Sequence, residues 1–449
     1  MKIMNVTIIG TGYVGLVTGV CIAAKGHNVI CIDIDSRLVS QLNSGIPHIY
    51  ELDLEEMLKS VLNSGRFRAS IDLEGALDWC DIVIIAVGTP SKNGIIDLTF
   101  ILEVVRNLGE YLKLHDRFLS IVVKSTTIPG TTDTIIKKEL EKISERRFPA
   151  FGLGMNPEFL REGVAISDFM KPDRIVLGYE DGKTLELLDE LYAPWDAEKI
   201  KVNTRSAELI KYANNALLAV QISAINEIAN LAATIGGIDF MDIVKGIHMD
   251  KRWSPVLENT RILPDILTYL IPGCGFGGSC LPKDVQALRA QGIQNGLPMH
   301  MLNAVLDIND SQPYQVIQIL EQEIHDISNQ VILVLGLAFK PGTDDVRESA
   351  SIRVIKSFVE KRANIFAYDP VAIKNFKVEL GAVSNLVTFV EHWTDYVERS
   401  NIVVITTNWP EFHQIINLDM TDKILFDARR MFQPSDVKCK KYLSIGYAK

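Results

Sequence analysis

The chain has 449 residues, 47% of them hydrophobic, enough for roughly two to four domains with cores of their own. A net charge of −10 argues against a nucleic-acid surface, though a local cradle can still bind a small anion. The six cysteines form no CxxC pair and no Cys/His cluster, so no metal is expected, and no apolar run approaches the ~20 residues of a membrane span.

The N-terminal stretch enters a strand at once, with no apolar leader and cleavage site, so a cytoplasmic protein is expected. "NVTIIGTGYVGLVTGVCIAAKGHNVICIDID" reads as strand, glycine turn, helix and strand. Within it "GTGYVG" fits the dinucleotide pattern. Gly10 makes the tight turn, Gly12 admits a pyrophosphate, Gly15 lets helix and strand pack, and Tyr13 and Val14 open the helix. The helix N-terminus favours phosphate charge. Asp33 ends the second strand, placed to accept from an adenosine ribose 2′-hydroxyl, which favours NAD over NADP; Arg37 stands close by. "CDIVIIAVGTP" and "FLSIVVKSTTIPGTT" are further buried strands, each ending in a polar turn where open α/β sheets bind ligands. Thr89, Ser125 and Thr126 on those turns either reach the cofactor or serve as turn and cap residues.

"NPEFLREG" sets Glu158 and Glu162 four apart, either an acid–base pair or a solvated face. From about Arg205 the pattern turns helical, with one long helix that has no Gly or Pro before Gly236. That helix is read as a subunit interface, an internal connector, or both. "ELIKYANN" within it places Lys211 and Asn215 at i, i+4, either a pair suited to holding an oxyanion or, for Lys211, an ordinary surface lysine. "GFGGSCLPKD" puts Cys280 after a flexible glycine run with Lys283 and Asp284 following. It reads either as a structural thiol or as a nucleophile that traps an aldehyde during a double oxidation. A disulfide between Cys274 and Cys280 stays open. From "QVILVLGLAFKPGTDDVRES" the strand–glycine pattern returns. The fold class is therefore α/β: two Rossmann-like doubly wound domains, 1–204 and 326–449, joined by a central all-helical domain, 205–325.

"GTGYVGL", "VGTP", "KST", "NPEFLREG", "AELIKYANN", "GFGGSCLPKD" and "GLAFKPGTDDVRES" occur in that order along nearly the whole chain. Together they resemble the UDP-glucose/GDP-mannose dehydrogenase family of nucleotide-sugar 6-dehydrogenases. The resemblance implies an NAD domain, a central dimerisation domain and a nucleotide-sugar domain, in a homodimer or higher homo-oligomer. It implies oxidation of a sugar C6 alcohol to a carboxylate with two NAD per turnover, yielding a uronic-acid donor for polysaccharide. Cys280 would be the nucleophile, Lys211 and Asn215 would stabilise the oxyanion, and Asp284 with Thr126 and a water would assist proton transfer. Glu158 would act in thioester hydrolysis. Glu162, Thr126 and Arg347 would lie near NAD. Phe159, Leu160, Arg161, Gly275, Phe276 and Gly277 would border the substrate. Phe339, Lys340 and Arg429 would bind the nucleotide part, as cations suited to diphosphate oxygens.

Three stretches depart from the family pattern. The segment before the cysteine loop is about a dozen residues longer than usual, so the arginine that would reach a partner's sugar is Arg252, with Arg261 competing. "IYELDLEEML" replaces "IYEPGL" near the substrate, and Leu38 stands where a cation is common, with Arg37 beside it. "GLAFKPGTDDVRES" is nearer the UDP-glucose branch and "GGSCLPKDVQAL" resembles the GDP-mannose branch. UDP-glucose is the expected substrate, with GDP-mannose or a UDP-N-acetylhexosamine as alternatives, and a non-catalytic nucleotide-sugar binder as the reading from another class.

Overall fold

The short valine- and isoleucine-rich runs become strands that are buried along nearly their whole length. In the computed structural model, which describes residues 2–92 and 94–448, the chain divides into two units, Met1–Asn214 and Asn215–Lys449.

The first unit is built on eight strands: β1 Asn5–Ile9, β2 Asn28–Ile32, β3 Phe67–Ser70, β4 Ile82–Ile85, β5 Ser120–Val123, β6 Gly152–Met155, β7 Arg174–Tyr179 and β8 Glu198–Val202. Their order across the sheet is β3-β2-β1-β4-β5-β6-β7-β8. The first six run parallel, and β4 and β5 are buried at every position, as expected of strands covered on both faces. The sheet then reverses. β7 pairs antiparallel with β6, and β8 follows β7 in parallel. Glycines make the reversed pair possible, since a Cβ on Gly178 would lie 2.8 Å from the Met155 carbonyl oxygen. Helix α1, Tyr13–Ala24, follows β1 and is buried from Gly15 to Ala23. Cys21, Cys31 and Cys80 are small buried core residues.

The long helix α2, Thr204–Ile235, runs from the first unit into the second. By length and composition alone it could span a bilayer, a test that core helices of globular proteins also pass. Its inward polar contacts, described below, are those of a core helix.

In the second unit, helices α3 Leu281–Gln294, α4 His300–Ser311 and α5 Tyr314–Ile324 precede a six-stranded sheet. Its strands are β9 Val331–Leu335, β10 Asn364–Tyr368, β11 Val387–Phe389, β12 Ile402–Ile405, β13 Met420–Asp427 and β14 Cys439–Leu443. The order is β11-β10-β9-β12-β13-β14, all parallel. Both sheets thus step outward from their first strand and then reverse to the fourth, which opens a crevice at the carboxyl ends of those two strands. The lengthened segment forms a hairpin, Val256–Leu257 against Thr260–Arg261, turned by Glu258 and Asn259 at positive φ. A second short ladder pairs Ile238–Asp239 with Tyr447–Ala448.

The first crossover is the tightest point of the first unit. A Cβ on Gly15 would lie 1.9 Å from the Gly10 carbonyl oxygen. Gly15→Ala must therefore push α1 off β1. We expect a loss of about 1–3 kcal/mol in urea unfolding and weaker NAD binding; unchanged stability and affinity would contradict this packing.

Candidate active site

In the first unit the glycine turn is positioned by the sheet. Gly10 has φ of +98°, and its N–H donates to the Ile32 carbonyl at 2.8 Å. A Cβ there would be 2.9 Å from the Ala86 carbonyl oxygen, so only glycine fits. At Gly12, by contrast, a Cβ would meet nothing within 4 Å, which leaves the helix N-terminus open to a ligand. Asp33 accepts from the Thr11 N–H at 3.1 Å and from the Thr11 hydroxyl, while its other oxygen accepts from the Asp35 N–H at 3.1 Å. Burial would raise this carboxyl, but those hydrogen bonds hold it below the usual range, so it is anionic at neutral pH. The turn, the open helix end and the anchored acid fit a bound dinucleotide. Ile34 beside Asp33 is fully exposed, and Arg37 points into solvent, 4.0 Å from Asp35.

The next two turns lie side by side. Ser125 Oγ donates to the Val87 carbonyl at 2.7 Å, and the Lys124 and Ser125 N–H groups both donate to the Ile85 carbonyl. Thr89 and Thr126 are half-buried on these turns. Lys124 turns inward, 3% exposed, donating to Asn156 Oδ1 at 2.8 Å with its ammonium 5.4 Å from the Phe169 ring centre. Burial pulls Lys124 down to about 8.

Glu158 and Lys211 form a buried ion pair at 2.7 Å, with side chains 6% and 5% exposed. The second Glu158 oxygen accepts from the Leu160 N–H at 2.6 Å. Burial works to raise Glu158, but Lys211, the Leu160 N–H and the charge of Lys124 hold it below the usual carboxylate range. The Phe159 ring stacks under the Arg174 guanidinium at 4.1 Å. Arg161 is clamped to Asp168 at 2.7 Å. Glu51 ties this loop to the glycine turn, for it accepts from the Tyr13 hydroxyl and from the Gly163 and Ala165 N–H groups at 2.7 Å.

In the second unit Cys280 is the N-cap residue of α3, with a proline in the first turn. Its carbonyl accepts from the Asp284 N–H at 2.9 Å, and Ser279 Oγ lies 3.5 Å from its sulfur. A helix N-terminus favours thiolate. Asp284, one turn on and 1% exposed, receives Asn215 Nδ2 at 2.7 Å on one oxygen and Lys283 Nζ at 2.8 Å on the other. The loop leading to Cys280 lies across the carboxyl edge of the second sheet. Phe276 exchanges hydrogen bonds with the Asn309 side chain, and the Gly278 N–H donates to the Arg347 carbonyl at 2.8 Å. A Cβ on Gly277 would strike the Glu348 carbonyl, and one on Gly278 the Phe339 ring. Arg429 Nε donates to the Thr406 carbonyl at 2.7 Å, the same oxygen that Cys274 Sγ approaches at 3.8 Å. No disulfide forms among the described residues.

Three family models match in sequence order. The NAD binding domain of the UDP-glucose/GDP-mannose dehydrogenase family matches residues 4–196, its central domain 205–311 and its UDP binding domain 333–434. The chain belongs to the UDP-glucose/GDP-mannose dehydrogenase family. It is 35% identical to UDP-glucose 6-dehydrogenase TuaD of Bacillus subtilis, over 98% of this chain and 93% of that protein. It is 36% identical to UDP-glucose 6-dehydrogenase AglM of Haloferax volcanii, over 95% and 97%. The solved UDP-glucose dehydrogenase of Pyrobaculum islandicum superposes with a TM-score of 0.90 at 36% identity, covering 100% of this chain and 98% of that one.

As a member of the family, this is an NAD-dependent nucleotide-sugar dehydrogenase. Of the expected site residues, the first unit gathers Glu158 with Lys211, and the glycine turn with Asp33. The second gathers Asn215 and Asp284 at the start of the Cys280 helix, and Gly277 against Phe339, with the next residue, Gly278, bonded to the Arg347 carbonyl. Glu162 and Lys340 are half-buried near these groups in the sequence. Arg252 lies apart, 86% exposed and paired with Asp250, whereas Arg261 turns back onto the Met249 and Ser254 carbonyls. Sequence reasoning passed over Lys124, Glu51 and Glu208 as site-supporting residues. The signal for Lys124 was its place at the head of the quoted "KST" turn, and for Glu51 its place in the divergent "IYELDL".

Lys211→Met should leave Glu158 buried without its ion-pair partner, a loss of about 3–5 kcal/mol. Because the folded Glu158 pKa lies below its ordinary value, the stabilisation is fully present above the unfolded pKa and is lost as pH falls through the folded one. The stability gap between Lys211→Met and the parent should thus shrink in acid. A gap that stays constant from neutral to strongly acidic pH would show that the pair is not its source.

Proposed function

We propose that this enzyme oxidises the C6 hydroxyl of a nucleotide sugar, UDP-glucose before GDP-mannose or a UDP-N-acetylhexosamine, to the carboxylate through Cys280. The observation that carries the proposal is the capping of α3 by Cys280, with Asp284 one turn on and held by Asn215 and Lys283. Relatives named UDP-glucose 6-dehydrogenase support the choice of sugar.

Bound at the glycine turn, NAD supplies the hydride acceptor for each oxidation. Lys211 and Asn215 would hold the C6 oxygen as its proton leaves, and Asp284, with Thr126 and a water, would take that proton. The first hydride leaves an aldehyde. The Cys280 sulfur adds to its carbon, forming a C–S bond and a thiohemiacetal. Loss of the second hydride from C6 gives a thioester. Water acting beside Glu158 breaks the C–S bond, returning the thiol and releasing the carboxylate. One alcohol, one water and two NAD⁺ thus become one carboxylate, two NADH and three protons. Asp33, Thr89, Glu162 and Arg347 would serve the cofactor. Phe159, Leu160, Arg161, Arg252, Gly275, Phe276, Phe339, Lys340 and Arg429 would serve the substrate.

The reading divides the chain at 204/205 and 325/326 into cofactor, central and nucleotide-sugar parts. The exposed Leu217, Ile228, Leu231 and Ile235 along α2 support a homodimer through the central part.

NADH released per sugar consumed tests the proposal directly, with UDP-glucose, GDP-mannose, UDP-GlcNAc and UDP-ManNAc as donors. Two NADH per UDP-glucose is expected. One would mean a simple alcohol dehydrogenase, and none with any donor a binding protein. Cys280→Ser should lower acid formation roughly 10³-fold or more, the scale of losing an enzymic nucleophile; unchanged turnover would remove Cys280 from the chemistry.

A further inference from the structure

Glu208 is a fully buried carboxylate with no part in the scheme above. It lies on α2, three residues before Lys211, and accepts four hydrogen bonds from one loop. The Gly130 N–H reaches Oε2 at 2.7 Å. The Thr132 N–H at 2.9 Å, the Thr132 hydroxyl at 2.7 Å and the Thr127 hydroxyl at 3.2 Å all reach Oε1. Two N–H and two O–H donors converging on one carboxylate suit an ionised, acceptor-only group. Burial nevertheless pushes its carboxyl up to about 7, so these donors are what favour the anion.

The loop so held is the one that carries Thr126. On one side Ser125 is tied through its hydroxyl to the Val87 carbonyl; on the other, Thr127 is tied to Glu208. Thr126, between two anchored neighbours, is half-buried. The helix after the loop begins with a π-helical turn, Thr131–Ile136, whose first residues face Glu208. One turn along α2, Lys211 grips Glu158. A single stretch of helix therefore fixes two loops, 124–132 through a carboxylate and 158–160 through an ammonium.

We infer that Glu208 is a positioning residue: its carboxylate sets the loop that places Thr126 for proton transfer. The inference rests on the role proposed for Thr126. Glu208→Gln replaces one acceptor oxygen by an NH₂ donor, so in either orientation a loop donor faces another donor.

The test combines steady-state NADH release with amide hydrogen exchange, on the full-length parent, Glu208→Gln and Thr126→Ala. For Glu208→Gln we expect kcat to fall roughly 10- to 100-fold, the scale of a misplaced catalytic group. KM for the nucleotide sugar should stay within about threefold. Exchange should quicken in 124–132 but not in β1, β4 or β5. If Thr126→Ala lowers kcat while Glu208→Gln, its loop loosened, does not, the inference is overturned and the role of Thr126 stands. If Thr126→Ala leaves kcat unchanged, both fall. Faster exchange throughout the first unit, in step with the loss of kcat, would make Glu208 merely structural and overturn the inference. Should Glu208→Gln fail to fold, Thr127→Val and Thr132→Val each remove one hydroxyl donor. Each should lower kcat severalfold with the same local exchange pattern, and unchanged kcat in both would overturn the inference.

Discussion

In each sheet, the turn after the first strand runs so close to the turn after the fourth that no side chain fits between them. A Cβ on Gly10 would lie 2.9 Å from the Ala86 carbonyl oxygen, and one on Gly336 would lie 2.6 Å from the Thr407 backbone nitrogen. The same hydrogen bond closes both turns, from the Gly10 N–H to Ile32 and from the Gly336 N–H to Tyr368, each at 2.8 Å. This constraint sends the chain sharply out of the sheet at the point where the strand order reverses. The residues that follow, Thr11 and Gly12 in one unit and Phe339 and Lys340 in the other, are thereby delivered to a crevice edge. Binding chemistry gathers there because parallel strands leave their carboxyl ends uncovered at that point.

The two crevices differ at the acid that ends the second strand. Asp33 is half-buried and takes one backbone N–H from its turn, that of Thr11, which leaves Gly12 open toward a ligand. Asp369, at the equivalent place, is 2% exposed and takes the Leu337, Ala338, Val371 and Ala372 N–H groups together with the Trp409 indole N–H. In the second sheet the chain's own donors fill the carboxylate, whereas in the first Asp33 keeps acceptor capacity suited to a ribose hydroxyl and the turn at Gly12 stays open toward a phosphate. Phe339, Lys340 and Arg429, the residues proposed for the nucleotide part at the second edge, are longer side chains. One topology thus carries two kinds of nucleotide site through the choice of what lies against one aspartate.

Much of this was legible in the sequence, for a physical reason. Strands buried on both faces are written as unbroken apolar runs, such as "IVII" and "VILVL", and turns at a crowded crossover are written as glycine. The reversal at β7 was not legible, because an apolar run carries no direction; Gly154 and Gly178 permit the antiparallel pairing without announcing it. In the site, Gly10, Asp33, Cys280 and Asp284 stood out through their neighbours. Glu208 and Lys124 did not, since a charged residue in a helical or turn segment reads as a solvated surface until the fold buries it. Lys211 carried that same bland alternative on the sequence alone, and its 5% exposure removes it. The lengthened segment shows the converse. The sequence favoured Arg252 with Arg261 competing, and the structure turns Arg261 onto the Met249 and Ser254 carbonyls while leaving Arg252 in solvent.

Buried charge is a poor means of stabilising a protein, because desolvation offsets most of the Coulomb gain. The first unit nevertheless buries Lys124, Glu158, Glu208 and Lys211, two of them within one turn of α2. What the arrangement provides is fixed geometry and a bias in ionisation. Glu158 is held below its ordinary pKa, with Lys211 as its ion-pair partner and Lys124 adding a second positive field, while burial brings Lys124 itself down to about 8. Both shifts are downward, so they act oppositely on charge: the neighbours of Glu158 favour its anion, whereas burial and the charge of Lys211 weaken the cation of Lys124. Such a cluster responds to an added negative charge more strongly than exposed lysines would, because there is little water to screen it. Lys211, for which contact with a developing oxyanion is proposed, is buried there against Glu158 with little water to screen it.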